Sequence, residues 1–271
     1  MRPDGERRVS EGRATTADGT ESSARVADVL LQFLGGSPSL GVSAIARELG
    51  LSKAVVHRIL RSLVDRGLLE VDPETRAYGL GPAAVALGAR ALRDAKLRPV
   101  ALPELRELQR LTGETTTVSA RVPEGRVYLD QVVSEKEIRM TVELGRRYPL
   151  HAGSTGRAIM AFLPAADQEA ILTGELESLT PDTIIDPDRL RSVLRTVRAT
   201  GIAESGGERQ LGAASLAAPI FDLDGQPVGS LSVCGPRSRI TDELRARFAP
   251  LVAHSADTVS RALGWQGGLP G

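Results

Sequence analysis

The 271-residue sequence has one cysteine, Cys234, and three histidines. A lone thiol cannot close an internal disulfide, and one cysteine with three scattered histidines lacks the clustered ligands of a zinc centre. Neither a metal nor a cofactor is expected. No apolar run approaches the length that spans a bilayer. The opening stretch, MRPDGERRVSEGRATTADGTESS, has no apolar segment of the kind a secretory signal requires. A soluble, cytoplasmic chain with no membrane partner is the expectation. Net charge is missing too. The 34 Lys and Arg residues balance 34 Asp and Glu, so overall charge names no partner. The balance is uneven, however: residues 1–100 carry 15 basic against 12 acidic groups, and the remainder 19 against 22. A mildly basic front is the side on which nucleic acid would be met.

What is present suffices for two domains. Hydrophobic residues make up 41% of the chain, enough for real cores at this length. Residues 1–22 are charged and rich in Gly, Thr and Ser, and cannot offset their own ordering entropy, so a disordered tail is expected there. From Ser23 a helical period begins, with Val26, Val29, Leu30, Phe33 and Leu34 on one face, ended by Gly35-Gly36. A second short helix follows, with Val42, Ile45, Ala46 and Leu49 on one face and Gly50 as its stop. Ser52 then caps a third helix whose buried stripe is Val55, Val56, Ile59, Leu60, Leu63 and Val64. Two short helices joined through Gly50-Leu51-Ser52 form a helix-turn-helix. The following LLEVDPETRAYGL is expected as two strands around Asp72-Pro73-Glu74-Thr75, a wing.

The third helix carries Lys53, His57, Arg58, Arg61 and Arg66 on its exposed side, opposed only by Asp65. Cations near the start of such a helix reach phosphates and base edges in the major groove. Ser52 and Lys53 stand where backbone contacts are usual, and Arg76 sits at the wing tip. A solvated cationic face is the bland alternative for any one helix. The conjunction of helix pair, turn, cation face and hairpin favours double-stranded DNA. Gly79-Leu80-Gly81-Pro82-Ala83-Ala84 fits a dinucleotide fingerprint by letter, but the region about 20 residues on is helical and charged instead of a buried strand ending in an acid.

The Ala-rich helix from Pro82 is expected to link the front domain to a mixed one. In the latter, ALPELRELQRLTG is a helix, and ETTTVSARV, RVYLDQVV and EIRMTVEL are expected strands. Helices follow at about 154–162, 165–173 and 187–200. SLAAPIFD and PVGSLSVC are strands joined by the Asp224-Gly225 turn, and Thr241 caps a closing helix. This order implies an α+β sheet domain.

One segment bears on catalysis: HAGSTGRA, residues 151–158. A nucleophile elbow needs a glycine two before the serine, where Ala152 stands, and no phosphate-loop spacing is present. What remains is a turn feeding a helix start, where Ser154 and Thr155 could offer hydroxyls to a small anion or Ser154 could merely cap the helix. His151 is compatible with a packed core histidine, and Cys234 with a small buried residue.

The words LGLSKAVVHRILRSLVDRGLLEVDPETRAYGLGP, PLHAGSTGRAIMAFLP and SLAAPIFDLDGQPVGSLSVCGPRSRIT, in this order and spacing, resemble the IclR (isocitrate lyase regulator) family of bacterial transcription regulators. The resemblance covers about residues 23–265. It implies a winged helix-turn-helix over 23–81, a linker helix over 82–98, a GAF-like α/β effector-binding domain over 99–265, and a flexible tail over 266–271. It implies a ligand-responsive regulator, not an enzyme, that binds a pseudo-palindromic operator as a homodimer or homotetramer and senses a small organic acid or aromatic catabolite. It further implies an effector pocket formed by Met140 on the strand before the HAGSTG loop, Ser154, Thr155, Ser215, Ser232 and Cys234. Many members have cysteine at the position of Ser215, serine at that of Cys234, and an acid about ten positions earlier, where this chain has Ser205. The segment ESGGERQLGAAS offers Glu204, Glu208 and Arg209 instead. An enzyme tethered to a DNA-binding head, or a regulator with a vestigial pocket, are the rival readings.

Overall fold

The first helix, α1, spans Ala17–Leu31 and continues as a 3-10 turn over Gln32–Leu34. The computed structural model describes residues 17–35, 37–94 and 96–268. Residues 17–22, expected in the tail, are therefore the opening turns of α1, and the rest of that expected tail lies outside the described residues. The chain divides into two compact units at Ala86/Leu87.

In the first unit, α2 (Val42–Glu48) and α3 (Lys53–Val64) form the helix pair. The Ser52 hydroxyl accepts the Val55 N–H at 3.4 Å, the capping bond expected from its position. Val56, Ile59, Leu60 and Leu63 of α3 are buried with Val29, Phe33, Ile45 and Tyr78. Spacing of three and four puts them on one face, and each such side chain contributes about 1.5–3 kcal/mol by leaving water. The wing is β1 (Leu69–Val71) paired antiparallel with β2 (Tyr78–Leu80). Its turn is closed by the Asp72 carboxylate, which accepts the N–H groups of Glu74 and Thr75 at 2.8 and 3.1 Å. Helix α4 (Pro82–Asp94) carries the chain across the division.

The second unit is a six-stranded antiparallel sheet between two helical layers. In chain order its elements are α5 (Leu97–Thr112), β3 (Thr115–Val122), β4 (Gly125–Val132), β5 (Arg147–Tyr148) and α6 (Ser154–Met160). Then come α7 (Ala165–Thr173), α8 (Pro187–Thr200), β6 (Ala203–Gly206), β7 (Ala213–Phe221), β8 (Pro227–Pro236) and α9 (Asp242–Ala262). The strand order is β5-β4-β3-β8-β7-β6.

Period-two alternation assigns the two faces. Leu216, Ala218 and Ile220 of β7 with Leu231 and Val233 of β8 bury against Leu105 and Leu108 of α5 and Phe248 and Val252 of α9. The intervening residues, Ser215 and Ala217 of β7 and Ser230, Ser232 and Cys234 of β8, are small or hydroxyl-bearing and lie on the other face. There Ala203 and Ala217 meet α6, α7 and α8 through Ile159, Met160, Leu172, Leu190 and Leu194.

One expected strand is absent. Residues 137–144, EIRMTVEL, do not form a strand; Leu144 makes only an isolated bridge to Tyr128. Met140 therefore sits in a loop and not on a strand. The cause is local. The Gln131 side chain makes both hydrogen bonds to the Val142 backbone, each at 2.9 Å, and the Thr115 hydroxyl donates to the Met140 carbonyl at 2.7 Å. Side chains thus satisfy groups that a neighbouring strand would otherwise take. Strand β6, on the sheet edge, is in turn an element the sequence pattern did not reveal.

Candidate ligand cavity and nucleic-acid face

On the polar face of the sheet a small enclosed cavity is lined by all six expected effector residues: Met140, Ser154, Thr155, Ser215, Ser232 and Cys234. Their convergence follows from register. Ser215 lies opposite Cys234 in the β7–β8 pair and opposite Ser205 in the β6–β7 pair, and Thr117 lies opposite Ser232 in the β3–β8 pair. Helix α6 then lays Ser154 and Thr155 over these strands. The free interior is about 30 Å³, and it adjoins a more open pocket through Val142, Arg209 and Gln210.

Two glycines make that placement possible. Gly153, the N-cap of α6, has φ 86° and ψ 166°, a region closed to side chains with a Cβ. A Cβ at Gly156 would lie 2.3 Å from the Leu150 carbonyl oxygen, so only glycine lets α6 lie this close to the preceding chain. Ser154 does not cap the helix. Its hydroxyl is bonded to the Ser215 hydroxyl at 2.7 Å. Hydroxyls on and beside the cavity wall are similarly paired: Thr117 with Ser232 at 2.8 Å, Tyr128 with Thr155 at 3.3 Å, and Ser230 donates to the Thr155 carbonyl at 3.0 Å.

These contacts leave no nucleophilic arrangement around Ser154. His151 is buried, its Nε2–H donates to the Glu177 carbonyl at 2.9 Å, and burial pushes the imidazole below its usual value. It is a neutral packed histidine. Burial also pushes the Cys234 thiol up to about 12, so it is a protonated wall atom.

The structure adds Arg126, which the sequence reading did not single out, and places Arg209 beside it. Arg126 on β4 is fully buried on the cavity wall. Its Nη2 donates to the Ala152 carbonyl at 3.1 Å, while Nε and Nη1 have no partner. Its guanidinium lies 4.9 Å from the Tyr128 ring centroid and 5.4 Å from that of Tyr148. Arg209 faces the same two rings at 5.6 and 5.5 Å. Burial draws the Arg126 guanidinium below its ordinary value. The Ala152 carbonyl and the two tyrosine faces offset part of the missing water.

Glu208, the one carboxylate on the cavity wall, is already matched. It is bound by both terminal nitrogens of Arg157, Nη2 to Oε1 at 2.7 Å and Nη1 to Oε2, with both side chains buried. Arg157 also donates to the carbonyls of Glu204 and of His151. The arginine of HAGSTGRA thus holds the 207–212 turn that presents Arg209. Of the other residues named in that turn's segment, Glu204 is exposed and pairs with Arg245 at 3.3 Å. A second anchor holds the loop carrying Met140. Buried Glu114 receives Lys136 at 2.7 Å and Arg239 at 2.5 and 2.8 Å. Among the described residues no group of three or more metal-ligating side chains forms a metal site.

In the first unit, Ser52, Lys53, His57, Arg58, Arg61 and Arg76 are all exposed. None of the cations among them forms an ion pair among the described residues. His57 is thereby a surface residue and not a packed one. Arg66 is folded back on its own helix, donating to the Ser62 carbonyl and hydroxyl at 2.8 Å each. Arg76 adopts φ 59° at the wing turn.

A winged helix-turn-helix with an unpaired cationic helix face, joined to a sheet domain enclosing a polar cavity, defines the class of effector-binding transcription regulators. The family model for the bacterial transcriptional regulator IclR C-terminal domain matches residues 89–261, and that for the IclR helix-turn-helix domain matches residues 22–73. The chain belongs to the IclR family of transcriptional regulators. It is 35% identical to the glycerol operon regulatory protein of Streptomyces coelicolor over 246 residues, covering 90% of this chain and 96% of that one. An IclR transcriptional regulator from Alicyclobacillus acidocaldarius superposes with a TM-score of 0.76 at 29% identity, over 90% of this chain and 99% of that one. An IclR homologue from Microbacterium hydrocarbonoxydans, solved with 4-hydroxybenzoate, gives a TM-score of 0.69 at 25% identity, over 89% and 98%. These relatives are named regulators of transcription, not enzymes. No helix among the described residues is long and apolar enough to cross a membrane.

Proposed function

We propose that the protein binds a pseudo-palindromic operator through Ser52, Lys53, His57, Arg58, Arg61 and Arg76, as a homodimer or homotetramer, and that a small organic acid in the second unit's cavity sets its DNA affinity. The reading is supported chiefly by Arg126: a fully buried guanidinium with two unpartnered nitrogens on a cavity wall creates a demand for an acceptor-bearing ligand. The cavity hydroxyls satisfy one another and supply adaptable hydrogen bonds around such a ligand. The complex solved with 4-hydroxybenzoate, a carboxylate, lends support from a relative. The linker helix, expected over residues 82–98, is the natural carrier of the signal between cavity and DNA-reading heads. A ligand shifts DNA binding only if it binds two states of the protein unequally.

The test is a salt-controlled titration of fluorescent genomic fragments from around the protein's own gene, with and without a panel of metabolites. At least one acid is expected to change operator affinity severalfold. Lys53→Ala and Arg61→Ala are each expected to weaken binding and to lower the slope of log affinity against log salt by about 1. Ser154→Ala should shift the ligand concentration at half-effect. Turnover of any panel member, abolished in Ser154→Ala, would refute the reading.

A further inference from the structure

The unmatched charge on the cavity wall is positive. Arg126 and Arg209 both lie on that wall. Their guanidiniums flank the same pair of tyrosine rings, whose centroids are 5.7 Å apart. Two like charges so close, one without any solvent contact, repel each other in a medium of low dielectric. No carboxylate among the described residues answers either of them. The one on the wall, Glu208, is held by Arg157, so those two charges cancel. The wall is left with two unmatched positive charges.

The hydroxyls do not change this count. Ser154 and Ser215 bond each other, Thr117 bonds Ser232, and Tyr128 bonds Thr155. Cys234 stays protonated. Nε and Nη1 of buried Arg126 are left without partners, donors on different edges of the guanidinium that each call for an acceptor oxygen. Arg209 stands where the cavity adjoins a more open pocket, since Val142, Arg209 and Gln210 line both.

We propose that the ligand of this cavity is a compact dianion, with Arg126 taking the inner charge and Arg209 the outer. The chemistry is that of a small phosphate monoester or a short dicarboxylate. A ligand with one negative charge leaves one guanidinium unmatched; a neutral ligand leaves both. This rests on the reading of the cavity as the effector site and narrows it. It also explains why the position ten residues before Ser215 is serine here. Ser205 lines the cavity beside the arginines, where a carboxylate would repel a second anion.

The test is calorimetric titration of the full-length protein with ethyl phosphate, malonate and propionate, each at pH 7.5 and at about pH 5.5, where a phosphate monoester has largely lost its second charge. At least one of the two dianions is expected to bind at least tenfold more tightly than propionate at the higher pH. If it is ethyl phosphate, its affinity falls at the lower pH. If it is malonate alone, the ligand is a dicarboxylate. Arg209→Met is expected to lose at least tenfold in dianion affinity while leaving propionate nearly unchanged. Arg126→Met is expected to lose as much, and Arg126→Lys, which keeps the buried charge should Arg126→Met fail to fold, is expected to keep the preference for dianion over propionate. Equal affinity for propionate and the better dianion overturns the proposal, as does an Arg209→Met protein with undiminished dianion affinity, or no binding of either dianion at millimolar concentration. The functional reading stands through all three if any other acid still shifts operator affinity; it falls only if none does.

Discussion

Replacing Glu208 by Gln removes the negative half of the buried pair with Arg157, whose side chains are 7% and 1% exposed. Breaking such a pair by deleting one partner costs about 3–5 kcal/mol, because the other charge stays buried without compensation. Arg157 keeps its bonds to the carbonyls of His151 and Glu204, and glutamine keeps one acceptor, so the lower end, about 3 kcal/mol, applies. With a urea dependence of about 2 kcal/mol per molar, the midpoint falls by about 1.5 M. The assay is intrinsic fluorescence. Trp265 is the only tryptophan, and its ring lies 4.5 Å from Phe221 at the end of β7, so its emission reports unfolding of the second unit. The double variant Arg157→Met/Glu208→Leu removes both charges together and is expected to recover most of the loss. A shift below about 0.5 M for Glu208→Gln, or a double variant less stable than the single one, would refute the reasoning.

Burial pushes the Glu114 carboxyl up, but hydrogen bonds and charges from Arg239 and Lys136 outweigh this and hold it below the ordinary carboxylate range. Its folded value is thus depressed, so its stabilisation is complete above about pH 4.3 and lost as pH falls through the folded value. Thermal melts of Glu114→Gln should therefore lie below wild type at neutral pH, with the gap closing toward acid. Cys234, with its thiol at about 12, is expected to resist an aromatic disulfide reagent in the native protein at about pH 8 and to release one equivalent on unfolding in guanidinium. Gly156→Ala places a Cβ 2.3 Å from a backbone oxygen; overpacking of about 1–3 kcal/mol should lower the melting temperature by about 3–10 °C. An unchanged melt there would show that α6 can slide without cost.

The first unit was legible because its signals are local. Ser52, the α3 stripe and the Asp72 turn each act within four residues, and the sequence shows them directly. The strands SLAAPIFD and PVGSLSVC were also legible, joined by a turn that acts over as short a span. The strand expected over 137–144 failed because alternation of Ile138, Met140 and Val142 does not reveal what competes for the backbone. Gln131 and Thr115, distant in sequence, supply that competition. Arg126 escaped for a related reason. An isolated arginine in RVYLDQVV has the look of a surface residue, and only the fold shows that it is dry and that it faces the same tyrosines as Arg209. The Arg157–Glu208 pair spans 51 residues, and no spacing rule links its partners.

The run Thr115-Thr116-Thr117 in β3 has a further consequence. Thr115 bonds the Met140 carbonyl, Thr116 donates to the Leu105 carbonyl of α5 at 2.8 Å, and Thr117 bonds Ser232. Neighbouring positions on a strand point to opposite faces. Three chemically identical residues in a row therefore hold three different partners, and the distinction between them lies wholly in alignment. A slip of one residue against β8 would turn the α5-bound hydroxyl toward the cavity and strip the loop and Ser232 of their bonds at once. The run works as a combination lock: each hydroxyl is ordinary, and only one alignment of the sheet engages all three.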